Sequence, residues 1–278
     1  MHIKLLGTRG SIAVSGPLTI RYGGNTTCAE VTTQNGNSII IDAGTGIRYL
    51  SKKYININNP IKIFITHAHW DHLQGLPFFI PIFLKNSIID IFIDSLNFDT
   101  VKNAIIKQMS GLSHPVDFKE LASQISFIKV QGNLKIHNDM EIFTINNNHP
   151  GISTGLKVIS NGKIISFVTD NEIGLLKREN RYNEFCDFLS GSDIIIHDGQ
   201  YISEDMRIKT GWGHTNIDDL IELYRKLNPA IGVFTHHDPD RADDQIDDIL
   251  SYGAGILSQS GSRTVFKAGV EGEIYSSI

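Results

Sequence analysis

Ile61-Lys62-Ile63-Phe64-Ile65-Thr66-His67-Ala68-His69-Trp70-Asp71-His72 is the stretch on which the reading of this chain turns. Its first half is short, apolar and rich in β-branched side chains, the pattern of a strand. Its second half places three histidines and an aspartate directly at the strand's end. Gathering His67, His69, Asp71 and His72 there brings no packing advantage, because each needs a polar partner once it leaves water. A divalent cation satisfies all four, since neutral imidazole nitrogen and carboxylate oxygen are its usual ligands. The competing reading is an exposed histidine-rich turn.

Two ions suit the motif better than one. His67 and His69 can face one ion while Asp71 and His72, a step further round the turn, face another. Each ion then needs ligands from elsewhere. His149 and His236 both follow strand-like runs, and Asp170 ends the run Ile164-Ile165-Ser166-Phe167-Val168-Thr169, from where its carboxylate could bridge the pair. Each of these three taken alone reads at least as well as a structural residue. Together they complete two half-shells around the first cluster.

Outward from this centre, short apolar runs recur at Ser38 to Ile41, Ile61 to Thr66, Ile88 to Ile93, Glu141 to Ile145, Lys163 to Val168, Asp193 to Ile196 and Ile231 to Thr235. Several end in polar clusters, among them Asp42-Ala43-Gly44-Thr45-Gly46, His197-Asp198 and His236-His237-Asp238, where a rigid sheet can hold catalytic groups at solvent. Between them lie helical patterns. Asn216 to Leu227 has an i, i+3, i+4, i+7 stripe, with Thr215 or Asn216 as cap; Asp243 to Tyr252 is similar, and Asn97 to Met109 is weaker. Strands interleaved with helices point to an α/β fold with helices covering sheets.

These residues together resemble the metallo-β-lactamase superfamily, through His-x-His-x-Asp-His after a strand, then a distant His, an Asp and a last His. The phosphodiesterase branch, which includes ribonuclease Z and the cyclic-nucleotide phosphodiesterases of this fold, is the nearer likeness. It extends to Leu5-Leu6-Gly7-Thr8-Arg9-Gly10-Ser11, to Ile41-Asp42-Ala43-Gly44-Thr45-Gly46 and to Leu73-Gln74-Gly75-Leu76 after the histidines, and runs from about Leu5 to about Asp244. It implies a four-layer αββα sandwich, taken here as one domain over residues 1–278. It also implies that His67, His69 and His149 hold a first metal, that Asp71, His72 and His236 hold a second, and that Asp170 bridges. Zinc is the first expectation for both ions, with manganese or iron as alternatives. Asp170 stands where β-lactamases usually have cysteine, which argues against β-lactam hydrolysis.

His197-Asp198 and Gly213-His214-Thr215 resemble two further ribonuclease Z motifs. There the second histidine donates a proton and the acid of the first orients it. Here Asp198, a shorter acid, stands in place of Glu. His214 reads as general acid or phosphate contact, or else as a structural cap of the following helix. Trp70 reads as packing rather than as a base-stacking ring, and Phe78 and Phe79 as core. Arg21 to Thr27 either lines the mouth of the site or forms a turn. His237 should point away from its neighbour, and His2, His114 and His137 read as ordinary.

Bulk properties narrow the field further. The chain has 278 residues, a net charge of −5 and two cysteines, Cys28 and Cys186, too few and too far apart for a disulfide framework. A net negative charge is unlike proteins that grip nucleic acid by its phosphates. Neither a secretory leader nor a long apolar span is apparent, so a cytoplasmic, reduced protein is expected.

The function expected is hydrolysis of a small or cyclic phosphodiester, a cyclic nucleotide first, by a bridging hydroxide between two metals. Asp71 would hold that nucleophile and His214 would protonate the leaving group. The resemblance adds an argument on size, because bacterial ribonuclease Z carries its tRNA-clamping arm between the distal histidine and the bridging aspartate. Between His149 and Asp170 there is room for little beyond two strands, Thr154 to Ser160 and Lys163 to Val168. Alternatives are a ribonuclease Z-like nuclease acting on RNA 3′ ends and a non-hydrolytic diiron redox or metal-sensing protein. No membrane partner is expected, nucleic acid is a less favoured ligand, and a homodimer is left open.

Overall fold

Consecutive isoleucines at 39–41 and 194–196 lie inside two facing sheets in the computed structural model, which describes residues 1–56, 59–111 and 113–277. The first sheet contains β1 (His2–Gly7), β2 (Cys28–Thr32), β3 (Ser38–Ile41), β4 (Ile61–Ile65), β5 (Ile88–Asp94), β6 (Gln124–Val130) and β14 (Ile274–Ser276), in the order β14-β1-β2-β3-β4-β5-β6. The second contains β7 (Asn133–Ile136), β8 (Met140–Asn146), β9 (Thr154–Ser160), β10 (Lys163–Val168), β11 (Ile194–Asp198), β12 (Ile231–Thr235) and β13 (Val265–Ala268), in the order β13-β12-β11-β10-β9-β8-β7.

The side-chain period of two explains why these strands read as unbroken apolar runs. Ile39, Ile41 and Phe64 face Ile194, Ile196, Phe167 and Val233 in the core between the sheets. Ile40, Ile63 and Ile65 face outward onto α2 (Phe98–Gln108), which contributes Val101 and Ile105. Ile195 faces outward onto the other helical layer: α3 (Ile173–Arg178), α4 (Tyr182–Leu189), α6 (Ile217–Leu227) and α7 (Asp243–Gln259). Both faces of each sheet are therefore covered, and the layer order is αββα. The short α1 (Ser51–Tyr54) and α5 (Met206–Lys209) complete the α-helices among the described residues.

Strands β3 to β6 run parallel, as do β10 to β13. Their carboxyl ends carry Asp42 after β3, His67 after β4, Asp170 after β10, Asp198 in β11 and His236 after β12. Ligands of α/β proteins gather at such ends. Asp42, Asp170 and His236 all sit at φ near 60° (60°, 59° and 60°), a left-handed conformation that non-glycine residues adopt at a cost and that clusters at functional sites.

Several expectations need correction. The helix predicted to end at Tyr252 continues to Gln259, because Gly253 lets the helix lie against Phe266: a β-carbon there would stand 2.3 Å from that ring. α3 and α4 carry no long stripe and were not legible. Phe79 is buried as expected, but Phe78 is 62% exposed, since the tight turn at Leu76–Phe78 aims the two rings apart. Trp70, expected to pack, is 69% exposed. Both cysteines are free and buried. No helix among the described residues is long and apolar enough to cross a membrane.

Candidate metal centre

The turn after β4 winds His67 and His72 inward, both fully buried, while His69 stays at the surface. The loop after β8 brings His149 to His69, with Nε2 2.9 Å from Nδ1. Asp170 lies between two sets of imidazoles and turns one oxygen to each. Its Oδ1 is 3.7 Å from His67 Nε2 and 3.8 Å from His149 Nε2. Its Oδ2 is 3.1 Å from His72 Nε2 and 3.5 Å from His236 Nε2. Asp71 Oδ2 adjoins the second set, 3.4 Å from His72 Nε2 and 3.2 Å from His236 Nε2. His67, His69, His149 and Asp170 thus form one ligand group and Asp71, His72 and His236 another, with a third, Asp170, His214 and His236, overlapping both.

Hydrogen bonds behind the rings decide which nitrogens face the centre. His72 donates through Nδ1 to Asp42 at 2.7 Å. Thr66 donates its hydroxyl to the same carboxylate and so accepts from His67 Nδ1 at 3.1 Å. His149 Nδ1 donates to the Gly213 carbonyl, and His236 Nδ1 to Gln200 Oε1, both at 3.0 Å. Each ring then turns an Nε2 lone pair inward, as metal-binding histidines do. Asp71 is oriented by the backbone N–H of Ser11 at 2.8 Å.

The residues present fit metal ions. His67 Nε2, His72 Nε2 and Asp170 Oδ2 are buried without a hydrogen-bond partner. The lone pair of a neutral His72 facing a carboxylate oxygen at 3.1 Å repels it unless a cation stands nearby. Burial, with the neighbouring imidazoles, pushes His67 well below the usual histidine range, and burial lowers His69 and His149 too. Burial alone would raise Asp71 and Asp170, yet the surrounding imidazoles hold both well below the usual carboxylate range. Burial likewise opposes charge on His72 and His236, but Asp170 and Asp71 outweigh it and raise both, so this spot attracts positive charge, and a bound cation would displace those protons and free the Nε2 lone pairs. An anionic pair of carboxylates among inward lone pairs is a donor set for divalent cations.

A family model described as "Beta-lactamase superfamily domain" matches residues 37–237. The chain belongs to the metallo-β-lactamase superfamily. Ribonuclease Z of Picrophilus torridus is 24% identical over 93% of this chain and 92% of its own length. Among solved structures, the short form of human tRNase Z superposes with a TM-score of 0.67 at 15% identity, covering 100% of both chains. A diphosphatase of the PhnP family does so with a TM-score of 0.69 at 16% identity, covering 99% of this chain and 97% of its own. At such identities the structural likeness shows the fold, the αββα sandwich of metal-dependent hydrolases.

Within this metallo-β-lactamase fold, Asp198 reaches His214 despite its shortness. Oδ2 of Asp198 lies 3.2 Å from His214 Nδ1, and its oxygens accept from the N–H groups of Thr215 and Asn171 at 2.8 and 3.0 Å. Burial works against ionisation of Asp198, but the His214 contact holds its carboxyl below the usual range. His214 does not cap α6; Asn216 does, accepting from the N–H groups of Asp218 and Asp219. His214 lies 4.0 Å from Asp170 Oδ1 and stacks on His236, at the edge of the ligand cluster. His237 points away and meets the Gly269 carbonyl, as expected. Arg21 turns from the site to pair with Asp244 and Asp247 of α7, and Tyr22 packs beside them.

Asp42, Thr66 and Gln200 escaped the sequence reading as site residues. Asp42 stood in a polar strand-end cluster, which was a usable signal. Gln200 carried none, because only the fold brings it to His236. Gly213 is also required by the site. A β-carbon there would fall 2.1 Å from His149 Nδ1, and its φ of 87° is left-handed.

Proposed function

We propose that this hydrolase cleaves a small phosphodiester, a cyclic nucleotide in first place, with the two ligand groups each holding a divalent ion. The observation that carries the two-ion reading is Asp170, whose oxygens divide between the groups. His67, His69 and His149 would hold one ion, and Asp71, His72 and His236 the other, with Asp170 shared. Zinc is the favoured metal, manganese and iron being compatible with the same donors. Bound ions would supply a water activated near neutral pH and positive charge beside a phosphoryl oxygen.

The chain's own residues supply the rest. Asp71, fixed by the N–H of Ser11, orients the attacking water. Asp198, pinned by two backbone N–H groups, holds His214 through Nδ1 and leaves Nε2 to carry a proton to the departing alkoxide. Substrate size is supported by the segment between His149 and Asp170. It is taken up by the β9–β10 hairpin, closed by Asn161 and Gly162, where an RNA-clamping arm would be inserted.

A second reading, a ribonuclease Z-like nuclease, is favoured by the name of the Picrophilus torridus relative. One screen separates them: cyclic mononucleotides, cyclic dinucleotides and pre-tRNA at equal enzyme. Faster turnover of a cyclic or small diester, with a shallow salt dependence, is expected. Clean cutting of pre-tRNA at its 3′ trailer with every cyclic nucleotide inert, and affinity falling steeply with salt, would establish the nuclease instead.

A further inference from the structure

The protein has two tryptophans, and both stand exposed beside site histidines. Trp70 follows His69 and is 69% exposed; Trp212 precedes Gly213 and His214 and is 57% exposed. They belong to one place. His69 touches His149 at 2.9 Å, and His149 donates to the Gly213 carbonyl at 3.0 Å. Trp70 is thus the chain neighbour of His69, and Trp212 the chain neighbour of Gly213, which His149 contacts. A β-carbon on Gly151 would lie 3.7 Å from His69 Nε2, so the β8–β9 turn joins this rim. His69 is exposed where His67 and His72 are buried, and here the centre meets solvent.

The backbone under this rim is held in place. Glu172, 1% exposed, accepts from Gly211 N at 2.8 Å and Gly213 N at 3.1 Å, bracketing Trp212 on both sides. Asn97 donates to the Thr66 and Ile152 carbonyls at 2.8 and 3.2 Å. That contact keeps Ile152 at φ 58°, an unfavourable conformation for a β-branched residue. A rigid turn presenting an exposed indole loses little conformational freedom on binding a flat ligand.

We propose that Trp70 and Trp212 form a base-binding platform, so that the preferred phosphodiester carries a nucleobase. The proposal rests on the phosphodiesterase reading. With the phosphoryl group among the ligand residues, sugar and base would extend past His69, on the exposed side of the cluster, where the chain carries both exposed tryptophans next to His69 and Gly213. An indole face stacks on any base, and loss of one such stack costs about 5- to 150-fold in affinity.

Because no other tryptophan is present, intrinsic fluorescence reads this platform directly. The metal-replete full chain is titrated with AMP and with ribose 5-phosphate, and so are Trp70→Leu and Trp212→Leu, each of which keeps a single reporter. AMP should quench and bind at least about tenfold more tightly than ribose 5-phosphate, and each substitution should weaken AMP binding. Equal affinity for the two ligands, or AMP binding unaltered in both variants, overturns the platform. A second readout uses thymidine 5′-(p-nitrophenyl) phosphate and methyl p-nitrophenyl phosphate, which share a leaving group. The ratio of their kcat/KM values should fall about tenfold on losing either indole. Hydrolysis of both esters at a ratio that neither substitution changes removes the platform and keeps the phosphodiesterase reading. Selective quenching by AMP without hydrolysis of either ester does the reverse. A short oligoribonucleotide binding more tightly than AMP would assign the same platform to an RNA end rather than a free nucleotide.

Discussion

Asp42 and His72 are joined by a 2.7 Å hydrogen bond with both side chains fully buried. The same carboxylate accepts from the Thr66 hydroxyl and N–H, and through Thr66 it also sets His67. One aspartate that touches no other ligand residue thus orients an imidazole in each half of the centre. Its removal leaves two rings free to turn their protonated nitrogens inward.

Asp42→Ala should therefore weaken metal binding about 10- to 100-fold, the usual cost of losing a partner behind a ligating histidine. Chelator competition on protein verified as folded by circular dichroism measures it. Wild-type metal affinity in the variant would show that the Asp42 network does not orient the rings.

Metal content follows from Asp170. Replete protein should hold two divalent ions per chain, and Asp170→Ala should lose most of that metal along with hydrolysis. One ion or none in the wild type, with the variant unchanged, contradicts the shared-aspartate arrangement.

His214 should matter in proportion to how badly the leaving group needs a proton. An alkoxide needs it, whereas p-nitrophenolate departs without help. His214→Ala should slow a ribose diester by about 10²–10⁴ and bis(p-nitrophenyl) phosphate far less, with both ions retained. Asp198→Asn should show a weaker version of the pattern. Equal loss on both substrates assigns His214 to phosphate binding, and loss of metal assigns it to coordination.

Stability should fall with acid, in part through His197. Its Nδ1 donates to the Asp198 carbonyl and its Nε2 accepts from Asn171, so the ring is held neutral, and burial lowers its affinity for protons. The unfolded chain takes up that proton near pH ~6.5, so below this value it binds more protons than the folded chain. Stability is then lost as pH falls through about 6.5 toward the lowered folded value, by at most about 1.4 kcal/mol per pH unit for one such group. Urea unfolding at pH 7.5 and 5.5 should show a smaller acid loss in His197→Asn than in the wild type. Identical losses would free His197 of this role.

What the sequence by itself determined was the chemistry of the first cluster and the scaffold under it. Three histidines and an aspartate in six residues, at the end of a β-branched run, are a local pattern whose meaning needs no distant contact. Sheets covered by helices were legible from β-branched runs interleaved with helical stripes such as Ile217–Leu227, whereas the αββα order came only with the resemblance to the superfamily. Tertiary structure alone decided how Asp170 divides its oxygens, which side chain stands behind each imidazole, and which aromatic rings are left in solvent. Asp42 meets His72 because β3 and β4 pair in parallel and end together, and Gln200 meets His236 because β11 and β12 do the same. Trp70 and Phe79 look alike in composition, but one is exposed and the other buried. Exposure depends on what the rest of the chain packs against a residue, and no window of sequence contains that.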